Sequence, residues 1–183
     1  MKQRGLTIKE EWETMSAKPR AHPPHTDDTA PLMGNKPVRD FTLPSTGGTT
    51  FRLSDAKARA LVLYFYPKDN TPGCTTEGLG FRDLHTAFRK AGAQIYGVSR
   101  DSIRSHENFK AKMNFPFELL SDEDEKVCRL FGVIKMKNMY GRQVRGIERS
   151  TFVLDRDRVI RREWRAVKVP GHVQEVLDFV KAL

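Results

Sequence analysis

Seven apolar residues stand in unbroken succession at Ala60-Leu61-Val62-Leu63-Tyr64-Phe65-Tyr66, and Pro67 stops them. A strand of alternating pattern can leave one face in water, but a strand apolar at every position must be covered on both. The run is far too short to cross a bilayer, which takes about 20 residues. Its cover must therefore come from the protein itself, with a layer of structure above and below. Ala93 to Ser99 repeats the pattern, and Thr151 to Leu154 gives a third apolar strand.

Between these strands the period changes. Phe81, Leu84 and Phe88 share one face of a helix ending near Gly92, and Ser102 to Met113 and Glu123 to Phe131 read as shorter helices. Val173, Val176, Leu177 and Val180 form one stripe of a last helix running from Gly171 to the end. Phe41-Thr42-Leu43 and Thr49 to Leu53 alternate as half-buried strands about a Gly47-Gly48 turn, and Val159 to Trp164 follows a charged turn at Asp155 to Arg158. Strands alternating with helices give an α/β fold, a mixed central sheet flanked by helices.

The domain expected over 38–183 is preceded by a different kind of sequence. Five of the ten prolines fall in residues 1–37 (Pro19, Pro23, Pro24, Pro31, Pro37), among polar and charged neighbours. Such a stretch buries too little apolar surface to offset its ordering entropy, so it reads as a mostly disordered extension. MKQRGLTIKEEWETM has no apolar stretch behind its charges and does not read as a secretory signal, which points to the cytoplasm.

Composition narrows the function classes. Two cysteines, not spaced C-x-x-C, make neither a disulfide scaffold nor a Cys-rich zinc site, and they suit a reducing compartment. The five histidines show no metal-ligand spacing, and no metal or other cofactor is expected. The net charge of +9 is spread along the chain without interleaved aromatics or a recognisable module. That distribution favours a solvated basic surface over nucleic-acid recognition.

The chemistry lies after the first central strand, in Tyr66-Pro67-Lys68-Asp69-Asn70-Thr71-Pro72-Gly73-Cys74-Thr75-Thr76-Glu77. Thr71 and Pro72 read as the cap and first residue of a helix. Cys74 then falls in the first turn, where N–H groups without intrahelical partners favour a thiolate. Gly73 is expected to leave room for a small ligand beside the backbone. A lone cysteine at such a position could equally be an ordinary small residue, and the surrounding pattern decides.

Pro67-x-x-x-Thr71-x-x-Cys74 resembles the active-site motif of peroxiredoxins, and the longer string resembles the bacterioferritin comigratory protein, or peroxiredoxin Q, subfamily. The resemblance runs from about Phe41 to Leu183 and includes Phe81-Arg82-Asp83, Gly97 to Ser102, Leu120-Ser121-Asp122 and Arg149 to Phe152. It implies a thioredoxin-like fold, monomeric in many members, and a peroxidase acting on hydrogen peroxide and organic hydroperoxides. By the same resemblance Cys74 is the peroxidatic nucleophile, Thr71 hydrogen-bonds the peroxide, Pro67 shields the pocket and Arg149 completes it. Oriented N–H donors and a guanidinium suit the reaction, because negative charge grows on the leaving oxygen as the O–O bond breaks.

Members of the subfamily often carry a resolving cysteine five residues on, where this chain has Leu79, or on the following helix, where Ser102 to Met113 has none. The remaining thiol, Cys128, borders the apolar face of Val127, Leu130 and Phe131 and reads first as a core residue. The expected cycle uses one cysteine of this chain, with thioredoxin, glutaredoxin or a small thiol as reductant. The alternatives are Cys128 as resolving thiol, or a redox sensor or holdase on the same fold. Removing the residues before Met33 is expected to leave melting temperature and peroxide turnover nearly unchanged; a large loss of either in the truncated chain would contradict the disordered reading.

Overall fold

The computed structural model describes residues 36–183, so the extension expected over 1–37 lies, up to residue 35, outside the described residues. The elements are β1 (Thr42–Ser45), β2 (Thr49–Arg52), β3 (Ala60–Phe65), α1 (Pro72–Lys90), β4 (Ala93–Ser99), α2 (Ile103–Met113), β5 (Glu118–Ser121), α3 (Lys126–Leu130), β6 (Ile134–Met139), β7 (Arg142–Ile147), β8 (Ser150–Asp155), β9 (Ile160–Trp164) and α4 (His172–Ala182). Seven strands form one sheet in the order β2-β1-β5-β4-β3-β8-β9, and β6 pairs only with β7.

The sheet is mixed. β3 and β4 are parallel, as are β4 and β5, while β8 runs antiparallel to β3 with Leu61 opposite Leu154 and Leu63 opposite Phe152. Every residue of β3 is buried. Along it the side chains alternate between two cores, as a pleated strand requires. Ala60, Val62, Tyr64 and Tyr66 join Phe81, Phe88, Phe109, Val173, Val176 and Val180, the inner faces of α1, α2 and α4. Leu61, Leu63 and Phe65 join Leu43, Phe51, Val127, Phe131 and Phe152 on the opposite face. The double cover read from the apolar run is thus supplied by three helices on one side and by α3 with neighbouring loops on the other.

Three details depart from the sequence reading. The helix expected over Glu123 to Phe131 shrinks to Lys126–Leu130, because Glu125 has φ 60, outside the right-handed helical region. β5 is a strand that short length and the adjacent Phe115-Pro116-Phe117 conceal. The β6–β7 hairpin was not expected either; its turn residues Tyr140 and Gly141 both have positive φ (52 and 76), as a two-residue turn matching strand twist demands. Among the described residues no helix is long and apolar enough to cross a membrane.

Gly97 of β4 lies against Tyr64 so closely that an added Cβ would fall 2.7 Å from the ring's Cζ and 2.8 Å from Leu119 Cδ2. Gly97→Ala should therefore lower stability by about 1–3 kcal/mol through overpacking, read as an earlier urea midpoint with an unchanged slope. A variant as stable as the parent would mean Tyr64 and Leu119 part more easily than their packing suggests.

Candidate active site

β3 ends at Phe65, and the chain leaves the sheet through Pro67 to enter α1. Asn70 turns the loop with φ 58, a conformation asparagine tolerates better than most residues. Thr71 takes the cap position, with extended backbone (φ −89, ψ 151), and Pro72 is the first helical residue. The first intrahelical bond runs from the Thr75 N–H to the Thr71 carbonyl at 2.9 Å. The N–H groups of Gly73 and Cys74 thus lie ahead of the ladder and carry the positive end of the helix dipole. The Thr71 hydroxyl does not cap the helix as expected; it donates to the Lys68 carbonyl at 2.9 Å and so braces the loop.

Cys74 is buried, and the Arg149 guanidinium reaches its sulfur, with Nη2 3.3 Å from Sγ. Arg149 lies between β7 and β8, immediately before Ser150, which pairs with Phe65 of β3, and its carbonyl accepts from Val167 N–H at 3.0 Å. A central strand of the sheet therefore fixes its backbone. A Cβ at Gly73 would stand 3.2 Å from Nη2, so the missing side chain gives the guanidinium room, while Gly73 also lines an open cleft.

Glu77, to which the sequence reading gave no role, completes the cluster. It sits three residues after Cys74, one helical turn on, fully buried, and its carboxylate accepts a short hydrogen bond from Arg149 Nη1. The other oxygen, Oε1, has no hydrogen-bond partner among the described residues. Burial raises the Glu77 carboxyl to about 7, and the guanidinium pulls it back only part of the way. Burial works against the Arg149 charge, but Glu77 and Cys74 outweigh it and hold the guanidinium above its ordinary value. The signal available in sequence was the C-x-x-E spacing, which puts an acid on the same helix face as the thiol.

Of the four residues singled out from sequence, Cys74 and Arg149 touch. Thr71 and Pro67 lie on the loop three and seven residues upstream. Leu79 is partly buried against the core that holds Cys74. Cys128 is fully buried in the core of the other face, so the sheet separates the two sulfurs. Both cysteines are free. Burial, reinforced by the neighbouring Asp122 carboxylate, pushes the Cys128 thiol far above its ordinary value. Such a thiol is a poor nucleophile.

Asp69, Asp101 and His106 bring potential metal-ligand atoms within 4.8 Å of one another, a grouping that no spacing in the chain displays. These atoms already have partners, among them Tyr66, Ser99, Ser105 and the Leu120 carbonyl. Beside the first turn of α1 a cleft of about 600 Å³ is lined by Gly73, Thr76, Gly80, Val169, Pro170 and Val173.

The AhpC/TSA family model matches residues 35–163. The peroxiredoxin Bcp of Xanthomonas campestris is 57% identical over 148 residues, covering 80% of this chain and 92% of that protein. The peroxiredoxin Bcp of Bacillus subtilis is 49% identical over 142 residues, 78% of this chain and 90% of its own. Among solved structures, Xanthomonas campestris peroxiredoxin Q superposes with a TM-score of 0.74 at 57% identity, over 78% of this chain and 90% of that one. The bacterioferritin comigratory protein of the same organism, solved in connection with its alkyl peroxide reduction activity, gives 0.74 at 56% identity over the same shares.

The raised Glu77 carboxyl has a consequence for stability with a definite sign. The unfolded chain releases this proton near 4.5 and the folded one near 7, so the folded state holds the proton more tightly. The resulting stabilisation is complete at low pH and disappears as pH rises through 7. Glu77→Gln removes the titration. The stability of the parent minus that of the variant should therefore fall by up to about 3 kcal/mol between pH 4.5 and 7. His172, held down near 4 by burial, contributes the opposite slope to both proteins and cancels in the difference. A difference independent of pH would show that Glu77 is already ionised in acid.

Proposed function

The chain belongs to the AhpC/TSA family as a peroxiredoxin, a thiol-dependent peroxidase, and from this we propose that Cys74 is the peroxidatic nucleophile of a one-cysteine cycle. The observation that carries the reading is the contact of Arg149 Nη2 with Cys74 Sγ at the head of α1. The thiolate attacks one peroxide oxygen in line with the O–O bond. An S–O bond forms, the O–O bond breaks, and the departing alkoxide or hydroxide takes up a proton to leave as alcohol or water. Cys74 is left as a sulfenic acid. Gly73 and Cys74 N–H groups, with the Arg149 guanidinium, are donors suited to the charge that develops on both oxygens. Thr71 and Pro67, on the same loop, bind and enclose the peroxide.

The reductant is a thiol from outside the chain, thioredoxin, glutaredoxin or a small thiol. It condenses with the sulfenic acid, expelling water, and a second thiol releases Cys74 from the mixed disulfide. Support for an external thiol is the position of Cys128, buried on the other face of the sheet with its proton firmly held. The apolar cleft beside Gly73 and Thr76 supports organic hydroperoxides as substrates beside hydrogen peroxide. The two free cysteines suit the cytoplasm, where such thiols are abundant.

Cys74→Ser should lose all peroxide reduction while keeping its circular dichroism spectrum. Arg149→Ala should slow Cys74 oxidation by about two to three powers of ten, the usual cost of one oriented donor, in stopped-flow measurements. Cys128→Ser should keep turnover with both thioredoxin and a small dithiol, accumulating Cys74 sulfenic acid when reductant is withheld. Loss of thioredoxin-linked turnover, together with a Cys74–Cys128 disulfide in the oxidised parent, would replace this cycle with a two-cysteine one.

A further inference from the structure

The loop that carries Pro67 and Thr71 is tied to α2 by a buried polar network which the reaction as described does not use. Asp69, 5% exposed, and His106, fully buried, form its centre. The Asp69 carboxylate accepts from Tyr66 Oη at 2.7 Å on Oδ1 and from Ser105 Oγ at 2.7 Å on Oδ2. His106 Nδ1 lies 2.9 Å from Asp69 Oδ2 and 3.1 Å from Oδ1. The other ring nitrogen, Nε2, lies 3.1 Å from the Leu120 carbonyl of β5. The loop's main chain is held as well, Asp69 N–H donating to Asp101 Oδ2 at 3.0 Å.

Counting donors and acceptors places the hydrogens of the network. A backbone carbonyl can only accept, so His106 Nε2 donates to Leu120. Nδ1 and the Asp69 carboxyl share one hydrogen, and the Tyr66 and Ser105 hydroxyls donate to the same carboxyl. The groups facing the ring are Tyr66 just after β3, Asp69 from the loop, Asp101 from the turn before α2 and the Leu120 carbonyl from β5. Asp101 is itself bonded by Ser99 Oγ at 2.6 Å and places a carboxylate oxygen within 4.8 Å of the other two ligand groups.

We propose that Asp69 and His106 are positioning residues, a buried hydrogen-bonded latch that holds the 67–71 loop in the shape that receives the peroxide. The loop turns through Asn70 in the left-handed region, a conformation that persists where its surroundings fix it. With the latch closed, Thr71 and Pro67 stand at fixed places before Cys74. With it open, Cys74 keeps its helix turn, closed by the Thr75–Thr71 bond, and Arg149, held by Glu77, but the peroxide loses its seat. The inference rests on the reading of Thr71 and Pro67 as pocket residues.

Two reactions of Cys74 separate this role from a merely structural one. Alkylation by iodoacetamide needs the thiolate but not the peroxide pocket, whereas oxidation by hydrogen peroxide needs both. Asp69→Asn and His106→Gln, folded by circular dichroism, should oxidise about ten- to a hundredfold more slowly, the scale of a displaced reactant. Their alkylation rates should stay within about twofold of the parent, since the helix turn and Arg149 are intact. Ser105→Ala, which removes one bond at the half-buried edge, should show the same split in smaller measure and decides the matter if His106→Gln does not fold. Ring-nitrogen NMR of the parent should show a hydrogen-bonded hydrogen on Nε2 of His106. A bare Nε2 would overturn the latch. So would equal loss in both reactions, or unchanged oxidation in the latch variants while Thr71→Val slows it. If Thr71→Val leaves oxidation unchanged, the pocket reading fails and takes the latch with it.

Discussion

A strand with apolar side chains on both faces cannot rest on water at any point, and the arrangement of this molecule follows from satisfying β3. Its two parallel and antiparallel neighbours occupy its edges, and helices or loops close both faces. Because all of that packing is fixed, the end of β3 is fixed too. The chain leaves at Pro67 and must start a helix that returns across the same face. The thiol is therefore placed at the junction of the most buried strand and the longest helix, where backbone donors point outward and little can move.

Burial creates the central electrostatic tension of the site. In the proposed reaction a guanidinium beside the thiol aids the attack, but a guanidinium under a helix is expensive unless an anion accompanies it. Glu77 supplies that anion from one turn further along the same helix. It also competes, since a carboxylate that neutralises Arg149 weakens its hold on sulfur. Its own burial moderates the competition by favouring the protonated form. The cluster is thus a three-way compromise among Cys74, Arg149 and Glu77, held within one helical turn and one strand junction.

What could be read in the sequence and what could not divides along physical lines. Double-sided burial of β3 and β4, the apolar stripe of α4 and the Thr71-Pro72 helix start are local patterns, and each appears within a residue or two of its expected place. Cys74 and Arg149 were legible through motif resemblance, although 75 residues separate them and no local rule could pair them. Glu77 stood in the quoted string without a role, because only the arrival of Arg149 gives it one. Asp69 and His106 were hidden for the same reason: a polar residue looks solvated in sequence until tertiary packing encloses it. The β6–β7 hairpin escaped because Tyr140-Gly141 is a weaker turn signal than Asn-Gly, and its strands carry lysines and arginines where a packed strand would be apolar. The hydroxyl of Thr71 shows a finer limit. Its cap position was readable; its choice of the Lys68 carbonyl over the helix N–H groups was not.

The two cysteine sulfurs belong to different cores, and contact between them would require opening at least one of those cores. Under the proposed cycle, an oxidising equivalent taken up at Cys74 has no internal sink. Its lifetime is set by encounter with a second molecule, and hence by the concentration of thiols around the protein. Such a molecule reports its surroundings as it works: where thiols are plentiful it turns over, and where they run short it remains oxidised and open to the next peroxide.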